Sequence, residues 1–219
     1  DLFSPRGKTC SFDCTYCEWG ATVHPLTERK EFVTLAELRN ELERVEGVAA
    51  DHATFAGGGE PTLASNLGQA IEIVRSTLKL PVAVITNSSL MPREDVRREL
   101  ARADLVIAKI DAPNEEIFNA VNRPFKGYTL AEIIQGIKRF REEYKGKLAL
   151  QMMFVESNKG CAEEMAKIAG ELSPDEVQIN TPLRPCAVKP LSPQEIAAIR
   201  DKFSGLKKVV TVYEAGKPT

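Results

Sequence analysis

Segments with a helical hydrophobic period and short, continuous apolar runs alternate along nearly the whole chain, and this alternation limits the possible folds more than any other feature. The runs PVAVIT (residues 81–86) and LVIAKI (105–110) lack the polar–apolar alternation of a half-exposed strand. They read as strands covered on both faces, the situation in a parallel sheet. Further strands are expected at residues 52–56, 148–155, 176–180 and 209–213. Between them, residues 34–46 put Leu35, Leu38, Leu42 and Val45 on one helical face. Residues 67–78 do the same with Leu67, Ala70, Ile71, Val74 and Leu78, and residues 129–144 with Ile133, Ile134, Ile137 and Phe140. Helices are also expected at 92–103, 162–172 and 192–203. Capping boxes mark three of the starts: Thr34 with Glu37, Thr129 with Glu132, and Ser192 with Glu195 behind Pro193. Repeated strand–helix units imply right-handed crossovers and a parallel sheet. Five units are readable, and a first strand near residues 1–5 makes about six. A closed eight-stranded barrel needs about 250 residues, and this chain has 219. The expected fold is therefore α/β, a partial (β/α)6 TIM-like barrel with a mostly parallel sheet, forming one domain over residues 1–219.

Composition removes several function classes. Hydrophobic content of 43% with 27% charged residues is ordinary for a globular domain and excludes disordered and fibrous architectures. A formal charge of −2 does not suit a general nucleic-acid binder. No apolar run approaches the ~18 residues of a membrane span, and the start DLFSPRGKTC has no signal-peptide core. A cytoplasmic location is expected.

In parallel sheets of this kind the chemistry gathers on the loops at the carboxyl ends of the strands. There the cysteines stand out. The chain has five, and Cys10, Cys14 and Cys17 fall within eight residues as C-x3-C-x2-C. An odd count in a chain of this length does not read as a disulfide framework. A zinc knuckle would take His24 as fourth ligand. A 4Fe–4S cluster held by three thiolates would keep one iron open to an outside ligand.

Other loops carry polar groups in the same positions along the fold. Gly57-Gly58-Gly59-Glu60-Pro61-Thr62 follows a strand; its glycines admit close backbone approach and Glu60 supplies an acceptor. Thr86 and Asn87 end the PVAVI strand and can bond a ribose or carboxylate, or cap the next helix. Lys109 and Asp111, two apart, point to one face, either as a self-satisfied pair or as ligand-binding groups. Gln151, Glu156 and Asn158 share that ambiguity. Asn180, Pro182, Leu183 and Arg184 lie on the loop after the strand at 176–180; Arg184, between prolines, could grip an anion or stay on the surface. Cys161 reads as a small buried hydrophobe, and Cys186 as a hydrogen donor or ligand on the active rim. Trp19 could shield a cluster, stack on a substrate or simply pack. His24 and His52 read as loop and structural residues, and the stripe Arg93, Arg97, Arg98, Arg102 as a solvated helix face.

The cysteine loop, with Tyr16 before its last thiol, resembles the signature of the radical S-adenosylmethionine (SAM) superfamily, and the GGGEP segment about 40 residues on agrees with it. The resemblance implies that Cys10, Cys14 and Cys17 hold a 4Fe–4S cluster whose open iron is chelated by SAM. Reductive cleavage of SAM then yields a 5′-deoxyadenosyl radical that abstracts a hydrogen atom. Cofactor contacts are implied for Tyr16, for Gly58, Gly59 and Glu60 (methionine amino group), for Thr86 and Asn87 (ribose and carboxylate), for Asp111, and for Asn180, Pro182 and Leu183 (adenine). Lys109, Asp111 and Cys186 are the catalytic candidates. The segments KTCSFDCTYC, FAGGGEPTLASNLG, PVAVITNSSL, RRELARADLVIAKIDAP, FNAVNRP and VQINTPLRP fall in the order of the iron–sulfur oxidoreductases related to the wyosine tRNA-modifying synthases. Three further cysteines upstream of Cys10 and long basic insertions, which those synthases use, are not present in this sequence; CEWG replaces CQLG, and Lys109 stands where small residues are common. A radical SAM enzyme acting on a small molecule or peptide, fed by an electron donor such as ferredoxin or flavodoxin, is therefore expected. A wyosine-type tRNA modification and activation of a glycyl-radical enzyme are the alternatives.

Overall fold

A computed structural model describes residues 1–3, 7–125 and 127–214. Six parallel strands form the main sheet in the order in which they occur: β3 (Ala53–Phe55), β4 (Val82–Thr86), β5 (Leu105–Lys109), β6 (Lys147–Met153), β7 (Glu176–Asn180) and β8 (Val209–Thr211). A monotonic order, with no reversal, is that of a barrel wall and not of a doubly wound sheet. β3 and β8 pair with no further strand of this sheet among the described residues, so the wall stays open. The apolar runs behave as strands covered on both faces: Val82, Ala83 and Val84 on β4, and Val106, Ile107 and Ala108 on β5, are buried.

The crossover helices follow the sequence periods closely. They are α1 (Leu35–Glu43), α2 (Leu67–Leu78), α3 (Glu94–Leu100), α4 (Glu115–Val121), α5 (Leu130–Glu143), α6 (Ala162–Leu172) and α7 (Pro193–Asp201). Capping boxes at Thr34 and Ser192 are complete, and Thr129 accepts from the Glu132 amide. α2 buries Leu67, Ala70, Ile71 and Val74, and α5 buries Ile133, Ile137 and Phe140. Each of these side chains larger than alanine contributes about 1.5–3 kcal/mol. α5 sits so close to the loop after β4 that a Cβ on Gly136 would lie 2.6 Å from the Met91 carbonyl carbon. Two expectations change. Val45 does not join the inward face of α1, because the helix ends at Glu43 and leaves it exposed. The helix α4, opened by Asn114, whose side chain accepts from the Ile117 amide, is additional.

The first strand also lies elsewhere. Of the expected residues 1–5, Asp1–Phe3 have no regular structure and residues 4 and 5 lie outside the described residues. The strand is β1 (Lys8–Cys10), which pairs in parallel with β2 (Thr22–Pro25) and makes a bridge from Thr9 to Gly59. That bridge requires glycine, since a Cβ on Gly59 would sit 2.0 Å from the Thr9 carbonyl oxygen. β1 thus ends, at Cys10, against the carboxyl rim of the sheet.

Candidate active site

The rim encloses a cavity of about 560 Å³. Its wall contains Cys10, Cys14, Tyr16 and Cys17 from the first loop, Gly59 and Glu60 after β3, Asn87 after β4, Lys109 at the end of β5, and Asn180, Pro182 and Leu183 after β7. Segments far apart in the sequence, from Cys10 to Leu183, converge here because every strand delivers its carboxyl end to one side. Thr86 and Asp111 stand directly behind this wall, both buried. Gly58 holds the loop in place, its amide donating to the Asp1 carboxylate at 2.9 Å and its carbonyl accepting from the Thr9 amide at 2.9 Å. Cys186 is not at the cavity: its thiol donates to the Val188 carbonyl at 3.2 Å, and it packs against the small cluster of Tyr16, Val121 and Val155. Cys161 lies at the N-terminus of α6, partly buried against the core.

Glu60, only 2% exposed, does not present a free acceptor. One carboxylate oxygen accepts from the Thr62 amide (3.0 Å), the Thr62 hydroxyl (2.6 Å) and the Thr86 hydroxyl (2.6 Å), and the other from the Asn87 amide (2.6 Å). Burial raises its pKa despite these four hydrogen bonds. With its backbone fixed in this way, Asn87 donates through its side-chain amide to Ser11 at 2.9 Å and to the Cys10 sulfur at 3.5 Å. A matching arrangement serves Cys14. Asp111, also 2% exposed, accepts from the Tyr16 hydroxyl, from Asn122 at 2.8 Å and from the Met153 amide at 2.8 Å. The same Asn122 amide lies 3.5 Å from the Cys14 sulfur. Burial, with the charges of Asp111 and Cys14 adding, keeps the Tyr16 phenol well above its ordinary pKa, so it remains a donor. Asn122 was not among the residues singled out from the sequence, although the FNAVNRP segment contains it.

Burial, reinforced by the Glu60 charge, pushes the Cys10 thiol up to about 12, and burial together with Asp111 raises Cys14. These thiols give up their protons only to a cation that replaces them. Among the described residues, no three His, Cys, Asp or Glu side chains converge as they would around a single ion. His24 lies exposed on β2, away from the cavity wall. A zinc knuckle with His24 is therefore not assembled. An iron–sulfur cluster does not need its thiolates to meet at one point, since each binds a separate iron. Three soft donors facing one cavity, two of them receiving N–H donors, fit such a cluster.

The remaining candidates are placed as follows. Asn158 is buried and structural, donating to the carbonyls of Asp111 (2.8 Å) and Met153 (2.9 Å). Glu156 is exposed and pairs with Lys159, and His52 is exposed beside β3. Trp19 (54% exposed) and Leu183 (53%) stand at the cavity mouth, where Arg184 pairs with Glu18 at 2.7 Å. In the arginine stripe, Arg97 is buried against the carbonyls of Met91 and Pro92 and pairs with Glu143. Arg93 and Arg98 pair with Asp95 and Glu94.

A strand-ordered partial barrel with a three-cysteine loop at its carboxyl rim defines a class, and comparison with known proteins supports it. The model of the radical SAM superfamily matches residues 4–169, and the chain belongs to that superfamily of enzymes. An iron–sulfur cluster and SAM are the groups that membership implies. The UPF0026 protein MJ1312 of Methanocaldococcus jannaschii is 39% identical over 88% of this chain. The alignment covers 62% of that relative's length, so the chain spans less than two thirds of it. Among solved structures, SuiB of Streptococcus suis bound to S-adenosylmethionine superposes with a TM-score of 0.71 at 13% identity, covering 94% of this chain and 48% of that one. TYW1 with a lysine-pyruvate adduct superposes with a TM-score of 0.70 at 15% identity, covering 92% and 72%. At these identities the likeness is one of fold. No helix among the described residues is long and apolar enough to cross a membrane.

Proposed function

We propose that the cavity binds a 4Fe–4S cluster on Cys10, Cys14 and Cys17 together with SAM, and that the protein uses them to abstract a hydrogen atom from a small molecule or a peptide. The observation that carries this reading is the convergence of the three thiols, the Gly59–Glu60 loop, Asn87 and the loop after β7 on one cavity of about 560 Å³. When bound, the cluster supplies the electron that splits SAM into methionine and a 5′-deoxyadenosyl radical. The chain's own residues supply placement. Asn87 and Asn122 donate to two of the three sulfurs and favour their thiolate forms. Gly59 lets β1 and the glycine loop lie edge to edge, so the strand that ends at Cys10 is hydrogen-bonded directly to the SAM-facing backbone. Asn180, Pro182 and Leu183 form the opposing wall for the nucleoside, and Trp19 with Leu183 narrows the mouth against water and stray hydrogen donors. The electron comes from a ferredoxin- or flavodoxin-like donor, and five free thiols with an oxygen-labile cluster suit a reducing cytoplasm. Residues 1–219 act as one radical SAM core in this reading.

The test is anaerobic reconstitution with iron and sulfide, then SAM and a reductant. The protein is expected to release 5′-deoxyadenosine, and Cys10→Ala, Cys14→Ala and Cys17→Ala to lose both cluster and cleavage. Full turnover in any one of them overturns the ligand assignment. A wyosine-type activity would instead show as tRNA binding that weakens steeply with salt.

A further inference from the structure

Five charged side chains line the cavity, and three of them are closely matched. Glu18 and Arg184 pair with each other at the mouth. Lys8 is held more loosely, reaching the Gly20 carbonyl at 3.4 Å and Asp13 at 3.9 Å. Glu60 is saturated by its four donors. Lys109 is the other loosely paired cation, and its carboxylate is the more heavily occupied. Its side chain is 14% exposed, and its nearest carboxylate, Asp111 at 3.5 Å, is already filled by shorter hydrogen bonds from Tyr16, Asn122 and the Met153 amide. Its ammonium also meets two weak acceptors, the Gln151 side-chain carbonyl at 3.3 Å and the face of the Tyr16 ring at 5.1 Å.

A directional relay holds this ammonium in place. Lys109, Gln151 and Gln178 sit side by side in register across β5, β6 and β7. Gln178 donates to Glu176 at 2.9 Å, Gln151 donates to Gln178 at 3.1 Å, and Lys109 donates to Gln151. Glu176, pinned by Lys147 (2.9 Å) and Lys208 (2.6 Å), can only accept. That forces Gln178 to present its amide nitrogen to Glu176 and its oxygen to Gln151. Gln151 must then donate to Gln178 and turn its own oxygen to Lys109. Each amide has one possible orientation, and the last link holds an ammonium at the cavity floor.

We infer that Lys109 is the docking point for a carboxylate on the second substrate, with Gln151, Gln178 and Glu176 as its positioning residues. A largely buried ammonium whose nearest counter-charge among the described residues is shared is best completed by an anion brought in by a ligand, because an incompletely paired charge in such a site is costly. The inference rests on the radical SAM reading of the same cavity, in which SAM occupies the rim formed by the glycine loop, Asn87 and the loop after β7.

The test is anaerobic calorimetry on the reconstituted protein saturated with SAM, titrated with succinate and glutarate and, as the neutral control, succinamide. Saturable binding of the dicarboxylates and none of the diamide is expected. Lys109→Gln should weaken succinate by about tenfold or more, the range of a hydrogen bond to a charged group, with SAM affinity essentially unchanged. Gln151→Met should weaken succinate several-fold with melting temperature and SAM affinity unchanged, which a purely structural role would not produce. Equal binding of succinamide, unchanged succinate affinity in Lys109→Gln, or no saturable carboxylate binding in protein that binds SAM overturns the inference. So does a loss of SAM affinity in Lys109→Gln, which would assign the ammonium to SAM's own carboxylate. Wild-type protein that fails to bind SAM at all would instead refute the reading on which the inference rests.

Discussion

Two buried carboxylates stand on either side of the cysteine loop, and they brace it by different means. Glu60 ties the loop after β3 to the end of β4 using neutral donors alone, and through Asn87 it reaches Cys10. Asp111 ties β5 to β6, to Tyr16 and to Asn122, reaches Cys14 through Asn122, and has the Lys109 ammonium beside it. Burial raises Glu60 even against the hydrogen bonds from Thr62, Thr86 and the Asn87 amide. Neither brace extends to Cys17 in the hydrogen bonds that define them. The three thiols are therefore unequal: two are held by side chains 77 and 108 residues away, while the Cys17 amide donates at 3.2 Å to the Cys14 carbonyl within the loop. The loop's order comes largely from the barrel and only in part from its own short turns.

If the braces differ in this way, breaking them should cost different amounts. Asp111→Ala strands the Met153 amide, the Asn122 amide and the Tyr16 hydroxyl and leaves Lys109 without its nearest carboxylate. The expected loss is about 3–5 kcal/mol, the range for breaking one half of a buried ion pair, with iron content falling on reconstitution. Glu60→Ala removes only neutral partners, two of them hydroxyls that can turn to other acceptors, so about 2–3 kcal/mol is expected. Urea melts of the two apo variants check the order. Equal losses, or a larger one for Glu60→Ala, would show that the cation beside Asp111 contributes nothing.

Much of this architecture was legible in the sequence. The apolar runs of β4 and β5 and the helical periods of α2 and α5 are local patterns, and they are buried as those patterns require. The short elements were harder to see. β1 reads Lys-Thr-Cys, with no apolar period, and forms because Gly59 leaves room for it. α4 has seven residues; its signal was Asn114 as cap, followed by Ile117, Phe118 and Val121. The candidate site residues came from spacing and resemblance, but their contacts with one another depended on register. Nothing local to Asn122 announces that it faces Cys14 and Asp111, and nothing near Glu176 shows that two glutamines lie between it and Lys109. The pairing of Lys109 with Asp111, two residues apart, was visible in the sequence. That Asp111 is mainly engaged elsewhere was not.

A smaller effect lies at the opposite, amino end of the sheet, where Glu176 meets Lys147 and Lys208. Burial opposes its ionisation, but hydrogen bonds from Lys208, Gln178 and Lys147 outweigh that and hold the carboxyl at about 2. A depressed carboxylate stabilises the fold above its unfolded pKa, near 4.5, and that contribution disappears as the pH falls toward 2. Both lysines are half-exposed and screened, so about 1–2 kcal/mol is expected in place of the full linkage value. Glu176→Gln should flatten the stability profile between pH 5 and 2 by about that amount. An unchanged profile would mean that the lysines are held no better in the folded than in the unfolded chain.

The finest distinction lies between the two asparagines that touch sulfur. Asn87 is satisfied at both ends, its nitrogen donating to Ser11 and Cys10 and its oxygen accepting from the Ser89 amide at 3.0 Å. Asn122 donates to Asp111, Tyr16 and Cys14, but its buried side-chain oxygen has no hydrogen-bond partner among the described residues. Substituting Asn122 by alanine therefore removes one unsatisfied group along with the bonds it breaks, whereas Asn87→Ala only breaks bonds. Asn87→Ala is expected to cost about 1–1.5 kcal/mol and Asn122→Ala about 0.5–1 kcal/mol. Each variant loses one N–H donor to a thiolate, so each should lower the midpoint potential of the reconstituted cluster, measurable by titration followed by electron paramagnetic resonance. Stability and potential would then respond in different patterns, unequal in the first and alike in sign in the second. If neither variant moves the potential, the asparagines brace the loop mechanically and do not tune the electronics of the sulfurs they touch.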